Sequence, residues 1–208
     1  MSEIVFSDSM MVKVLDYYFD AEKMDPRWYK TVAYWCLNSK YRAVKRLDLY
    51  LKEQLDNPSS GLVTEALALR AQYDDPDELV VAMLKLVNER MQYASDNSIW
   101  GSDEYWATAK ESWEKRWDDC DGQNGLLYHL LRLAGIPAFV LFSVIGDTVD
   151  GGHFWVLYYS TKENKLYSLD CTYYSDERSL KDRKAFVLTD QRYKEIWYLF
   201  NDLGIWRT

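Results

Sequence analysis

The sequence predicts an α+β fold in which one apolar helix packs on an antiparallel sheet, with an N-terminal helical region ahead of both. Three observations carry that prediction. Apolar residues recur at helical spacing through the first half of the chain, and strand-like runs of β-branched and aromatic residues begin only at Ala138. The two regimes meet at a helix that ends in Ala134-Gly135-Ile136-Pro137, where glycine and then proline supply the stop.

The elements follow in order. The opening stretch MSEIVFSDSMMVKVLDYYFD reads as an amphipathic helix; it has neither a basic start nor an uninterrupted apolar run, so no signal peptide is expected. Asp25-Pro26 and Asp75-Pro76 each look like an N-cap followed by proline at the first helical position, and Asn57-Pro58-Ser59-Ser60-Gly61 is the clearest break. Helices are therefore expected near residues 7–20, 26–38, 40–56, 62–72, 76–93 and 102–116, followed by the helix that starts at Cys120. AFVLFSVI, HFWVLYY and KLYSLD are three strand-like runs that form an antiparallel meander, AFVLT adds a short edge, and YKEIWYLFNDLG reads as a closing helix ended by Gly204.

Composition narrows the function classes. A chain of 208 residues buries one good core, and 16% aromatic residues make it rich in large rings. A net charge of -8 gives no electrostatic footprint for nucleic acid or an anionic membrane, and no stretch offers the roughly twenty apolar residues of a membrane span. The 3 cysteines show no paired spacing, so neither a disulfide framework nor a zinc site is expected and a cytoplasmic location fits. Cys36 lies in a helical aromatic run, and Cys171 is expected to point away from Asp170. The basic run from Lys40 to Lys52 reads as a solvated helix face.

The chemistry-bearing residues sit at the helix-to-strand switch. Cys120 opens a helix whose Leu127 and Leu131 continue its own face, so that face turns inward. Unpaired N–H groups and the positive end of the helix dipole lower a thiol pKa at such a terminus, and they offer donors to an oxyanion forming beside the sulfur. Cys120 is thus the candidate nucleophile. Of the 2 histidines, His129 lies nine residues on, roughly 180° around the helix and roughly 13 Å along it, and reads as a partly exposed helix residue. His153 opens a strand behind Gly151 and Gly152 and is the candidate base. Asp170 ends the next strand. A turn centred on Lys162 and Glu163 puts it on the face of His153 at one diagonal step; a one-residue slip puts it on the other face. Asp170 is the candidate orienter of the imidazole.

The order Cys120, His153, Asp170, together with LLRLAGIPAFV, resembles the transglutaminase-like superfamily of papain-type thiol enzymes. The chain is more closely similar to the bacterial transglutaminase-like cysteine proteinase family, whose members show WG-x-x-D-YWATP ahead of GDCED. Here Trp100-Gly101-Ser102-Asp103-Glu104-Tyr105-Trp106-Ala107-Thr108 precedes Asp118-Asp119-Cys120-Asp121-Gly122. The resemblance covers roughly residues 77 to 175 and divides the chain into a helical region, 1–75, and a transglutaminase-like catalytic domain, 76–208. It departs from the pattern at Ala109, Asp118 and Gly122, where the family shows proline, glycine and an acidic residue.

The resemblance implies a papain-like core and a thiol hydrolase, a cysteine protease that cleaves an amide bond in a protein or peptide through an acyl-enzyme. A protein-glutamine transglutaminase or deamidase would use the same triad, and a non-enzymatic binding module could keep the same fold. In transglutaminases a tryptophan upstream of the nucleophile donates its indole N–H to the oxyanion, which points to Trp100, with Trp106 as the fallback. Some family members bind calcium near the acidic pair after the cysteine. That pair is reduced here to Asp121 and Gly122, and calcium takes six or more oxygen ligands. No cofactor is therefore expected to be required. Asp119 and Asp121 are the calcium candidates, read in the first instance as a solvated helix start.

Overall fold

The helices begin where side chains can satisfy their first N–H groups. The computed structural model describes residues 47–173, 178–186 and 192–207, so the helices expected at 7–20 and 26–38, and Cys36, lie outside the described residues. Helix α1 spans Leu47–Asp56 and α2 spans Ser60–Arg70, with Ser59 accepting the Leu62 N–H at 3.4 Å. Helix α3, Pro76–Arg90, starts with Asp75 accepting the Asp77 N–H at 2.9 Å and Pro76 in the first turn. Of the helix expected at 102–116 only α5 (Ala109–Lys115) forms, and a further short helix, α4 (Asp96–Trp100), lies before that range. Gly101 adopts a left-handed φ of 64° that ends α4, and a capping box between Thr108 and Glu111 restarts the helix.

Two short strands, β1 (Gln92–Tyr93) and β2 (Trp117–Asp118), pair in parallel and bring the chain to the nucleophile helix, α6, Cys120–Leu133. Asp119 caps α6 by accepting the Asp121 N–H at 3.1 Å. At its far end the Gly135 N–H bonds Arg132 O and the Ile136 N–H bonds Leu131 O, both at 3.0 Å, with Gly135 at φ 89°. That is a Schellman stop, and glycine alone takes its backbone without strain.

Strands β3 (Leu141–Thr148), β4 (Gly151–Ser160), β5 (Lys165–Leu169), β6 (Tyr193–Asn201) and β7 (Gly204–Arg207) form one antiparallel sheet in the order β5-β4-β3-β6-β7. One face carries Phe154, Val156, Tyr198 and Phe200 into a core shared with α6 and the other helices; the opposite face carries Phe142, Val144, Trp155, Leu157 and Tyr193 into a second cluster closed by Phe186. Ser160 pairs with Lys165, so the β4–β5 turn is centred on Lys162 and Glu163.

Two expectations change. YKEIWYLFNDLG is a β-hairpin and not a closing helix. The registers of β3 and β6 shift between Ile145 and Gly146 and again between Asp147 and Thr148, leaving Lys194 and Trp197 as extra residues on β6. Those bulges break the two-residue alternation, so Tyr193, Ile196 and Phe200 fall at helical spacing although they lie in a sheet. His129 is buried, at 2% exposure, because α6 is enclosed by α1, α2, α3 and α5 as well as by the sheet. Burial pushes its imidazole down to about 4, against the nearby Asp202 charge. The AFVLT edge falls largely outside the described residues. No helix among the described residues is long and apolar enough to cross a membrane.

Candidate active site

Three elements converge on the site. Cys120 stands at the first turn of α6, half-buried, with the backbone N–H of Phe154, the residue after His153, acting on its thiol in the direction that favours the thiolate. His153, near the start of β4, is 6% exposed, and its Nε2 lies 2.9 Å from Asp170 Oδ2 just beyond β5. A carboxylate at Nε2 makes that nitrogen the donor, leaving Nδ1 as the basic position. Gly146 pairs with His153 across the strands, and a side chain there would meet Glu195 O at 2.0 Å and Trp155 at 2.8 Å. Glycine thus lets β3 and β6 close beneath the histidine. The imidazole packs between Trp155, at 6.0 Å, and Tyr173, at 4.4 Å between ring centres.

Asp170 is fully buried and held from both sides. Its Oδ1 accepts from the backbone N–H groups of Thr172 at 3.0 Å and Tyr173 at 3.3 Å and from Asn124 Nδ2 at 3.4 Å. Its Oδ2 accepts from Tyr193 Oη at 2.9 Å besides facing His153. Asn124 also donates to Cys120 O at 3.1 Å and Phe154 O at 2.9 Å and accepts the Cys171 N–H at 2.8 Å, joining α6 to both strands. Sequence reasoning missed Asn124, although its spacing of one helical turn from Cys120 on the inward face was a usable signal. It missed Tyr193 because β6 was read as a helix.

The electrostatics of the thiol differ from the helix-terminus argument. Burial first, then the charges of Asp119, Asp170 and Glu104, push the Cys120 thiol well above its ordinary value, and the Phe154 N–H pulls the other way. The helix dipole is outweighed by burial and then by the acidic groups around the helix start. Ligand oxygens of Asp96, Glu104 and Asp121 lie within 4.8 Å of one another, as do those of Asp96, Asp118 and Asp119. Burial, with Asp119 next, raises Asp96 to about 7; burial raises Asp118 to about 6, against hydrogen bonds from Ser112 and Trp100. Among the described residues Asp96 Oδ1 and Asp121 Oδ2 are buried without a hydrogen-bond partner. Asp96, Asp118 and Asp121 are buried, Asp119 is half-buried and Glu104 is exposed, and orphaned oxygens in such an all-carboxylate cluster suit a hard divalent cation, so the residues present fit calcium.

The two departures at positions 118 and 122 are one structural exchange. A methyl on Gly122 would sit 2.0 Å from the Asp118 carboxyl carbon, so the Asp118 side chain fills the space that a residue at 122 would take. The carboxylate count near the cysteine is thereby kept. Asp118 Oδ2 accepts from Ser112 Oγ at 2.7 Å, and its Oδ1 accepts from the Trp100 indole at 3.3 Å. Trp106 Nε1 donates to Glu104 Oε1 at 2.6 Å. Both indole N–H groups are thus engaged by carboxylates.

A helix packed on an antiparallel sheet, with Cys120 at the helix start, His153 on β4 and Asp170 just beyond β5, defines a papain-type architecture. The sequence model of the transglutaminase-like superfamily matches residues 65–171, and the chain belongs to that superfamily. Among solved structures it is similar to Legionella pneumophila LapG in its calcium-bound form, at 20% identity and a TM-score of 0.47, over 70% of this chain and 87% of that one. The EGTA-treated form of LapG aligns at 20% identity and TM-score 0.47, over 70% and 85% of the two chains. A candidate cysteine protease from Cytophaga hutchinsonii aligns at 16% identity and TM-score 0.46, over 60% of this chain and 41% of that one. No curated protein sequence matches the chain.

Proposed function

We propose that the protein is a thiol hydrolase that cleaves an amide bond in a protein or peptide, with Cys120 as nucleophile, His153 as general base and acid, and Asp170 as orienter. The observation that carries this reading is the buried His153–Asp170 pair at 2.9 Å, tied through Asn124 to the helix start that bears the Cys120 sulfur. Because the resting thiol is neutral, His153 Nδ1 takes its proton as the sulfur attacks the carbonyl carbon. The C–N bond then breaks, His153 returns the proton to the leaving amine, and an acyl-thioester stays on Cys120. A water that gives its proton to His153 attacks this thioester, releasing the acid and restoring the thiol. The oxyanion donors are the Cys120 N–H, which has no partner within its own helix, and the Trp100 indole once it leaves Asp118. A reducing, cytoplasmic setting belongs to the same reading, on the unpaired spacing of the 3 cysteines.

Asp96, Asp119 and Asp121 would hold a divalent cation, with Glu104 and Asp118 beside them. When bound, the cation supplies positive charge next to the sulfur and so favours the thiolate.

Transglutamination and deamidation share the acyl-enzyme and differ only in whether an amine or water resolves it and in the amide attacked. Incubation with candidate proteins and a labelled primary amine separates them. Hydrolysis predicts Cys120-dependent cleavage products without label in the protein; Cys120-dependent amine incorporation would overturn it in favour of transglutamination.

A further inference from the structure

We propose that Tyr193, through its hydroxyl, is a positioning residue for the triad, a fourth member that fixes Asp170 and sets the basicity of His153. The inference rests on the Cys120–His153–Asp170 reading above and extends it to the far face of the sheet. Tyr193 Oη donates to Asp170 Oδ2 at 2.9 Å, the same oxygen that faces His153 Nε2 at 2.9 Å. Ser168 Oγ donates to Tyr193 Oη at 2.8 Å. With that donor in place the phenol's single proton has one direction left, toward Asp170, so Ser168, Tyr193, Asp170 and His153 form one ordered chain.

The hydroxyl is held by packing as well as by hydrogen bonds. Tyr193 is 1% exposed, and its ring lies 4.8 Å from Trp155 and 5.5 Å from Phe186 between centres. Trp155 is also the indole on which His153 stacks, so histidine and tyrosine are set against the same rigid surface. Asp170 Oδ1 is fixed by the turn at Thr172 and Tyr173 and by Asn124, whereas among the described residues it is Tyr193 that holds Oδ2 against a swing away from the imidazole. A donor on Oδ2 also draws charge from it, which moderates its pull on an imidazolium. Without the hydroxyl the carboxylate holds the charged imidazole more strongly.

The test uses the full-length chain and titrates the two histidines by NMR in wild type, Tyr193→Phe and Ser168→Ala. His129, remote from the triad, serves as the internal control. The expected result is a His153 titration moved to higher pH in Tyr193→Phe and by less in Ser168→Ala, with His129 unmoved. The acid limb of the pH profile for Cys120 alkylation should move the same way, and the rate at neutral pH should fall about tenfold, the equivalent of one hydrogen bond to a charged group. Should Tyr193→Phe fail to fold, Ser168→Ala still reads the chain, because it leaves every ring in place. A His153 titration like wild type in the folded variants overturns the inference, even where thermal stability drops. Asp170→Asn and His153→Ala tell the two levels apart. If both slow alkylation while neither Tyr193→Phe nor Ser168→Ala moves His153, only the positioning role fails; if neither slows it, the triad reading has failed and this inference falls with it.

Discussion

Trp100 makes a long bond, 3.3 Å, from its indole to Asp118, and its part in turnover depends on whether that N–H can be redirected to an oxyanion. Trp100→Phe keeps most of the ring and its stacking on Tyr105, where the ring centres lie 4.5 Å apart, while removing the donor. Loss of one oxyanion donor costs about 3 kcal/mol of barrier, roughly a hundredfold or more in turnover. A purely packing role would leave turnover intact in Trp100→Phe and would appear only on truncation to alanine, as about 3 to 5 kcal/mol of stability. Turnover at the wild-type rate in a folded Trp100→Phe protein would remove the indole from the mechanism. Side-chain type and spacing made Cys120, His153 and Asp170 candidates from the sequence. What sequence could not weigh was the sign of competing fields at Cys120, because Asp96 and Glu104 reach the sulfur's surroundings only through the fold.

At the level of elements, the acidic cluster is made by the N-terminus of α6 meeting α4 and the loop after it. A helix start with Asp119 and Asp121 is ordinary in isolation, since acidic side chains suit the dipole. With Asp96 packed against it, two buried oxygens have no donor among the described residues, and the proposed cation would partner them. Calcium is therefore expected to raise the thermal unfolding midpoint of the wild-type chain, with stabilisation approaching about 2.7 kcal/mol at a hundred times its dissociation constant. Asp121→Asn should respond much less. Identical unfolding of the wild type in calcium and in chelator would rule out the site. The same level explains which elements were legible. Proline and Asp at 75–76 announced α3, and Gly135 with Pro137 announced the end of α6, because those signals are local. The hairpin of β6 and β7 was not legible, since its bulges at Lys194 and Trp197 exist only through pairing with β3.

For the whole molecule, one core joins Leu47, Leu51 and Leu62 of the leading helices to Leu126 and Leu130 of α6 and Phe154 of β4, so the nucleophile helix is clamped on every side. Arg132 extends the clamp to the β6–β7 turn through two bonds to Asp202, at 2.8 and 2.9 Å, joined by the Tyr128 hydroxyl. That enclosure is why His129 is buried, and it sets the Cys120 sulfur at the start of a helix packed on all sides. The periodicity of α6 was legible, but its enclosure was not, because the helices that cover it come from distant parts of the chain. The measurement that tests the account most directly is mass-resolved alkylation of the full-length protein at neutral pH, comparing Cys120 with Cys36 and Cys171 in wild type and in His153→Ala. Although burial pushes its thiol up, the account predicts that Cys120 is labelled first, because His153 takes the proton as the sulfur attacks, and that His153→Ala slows Cys120 alone. Equal labelling of all three cysteines, unchanged by His153→Ala, would contradict it.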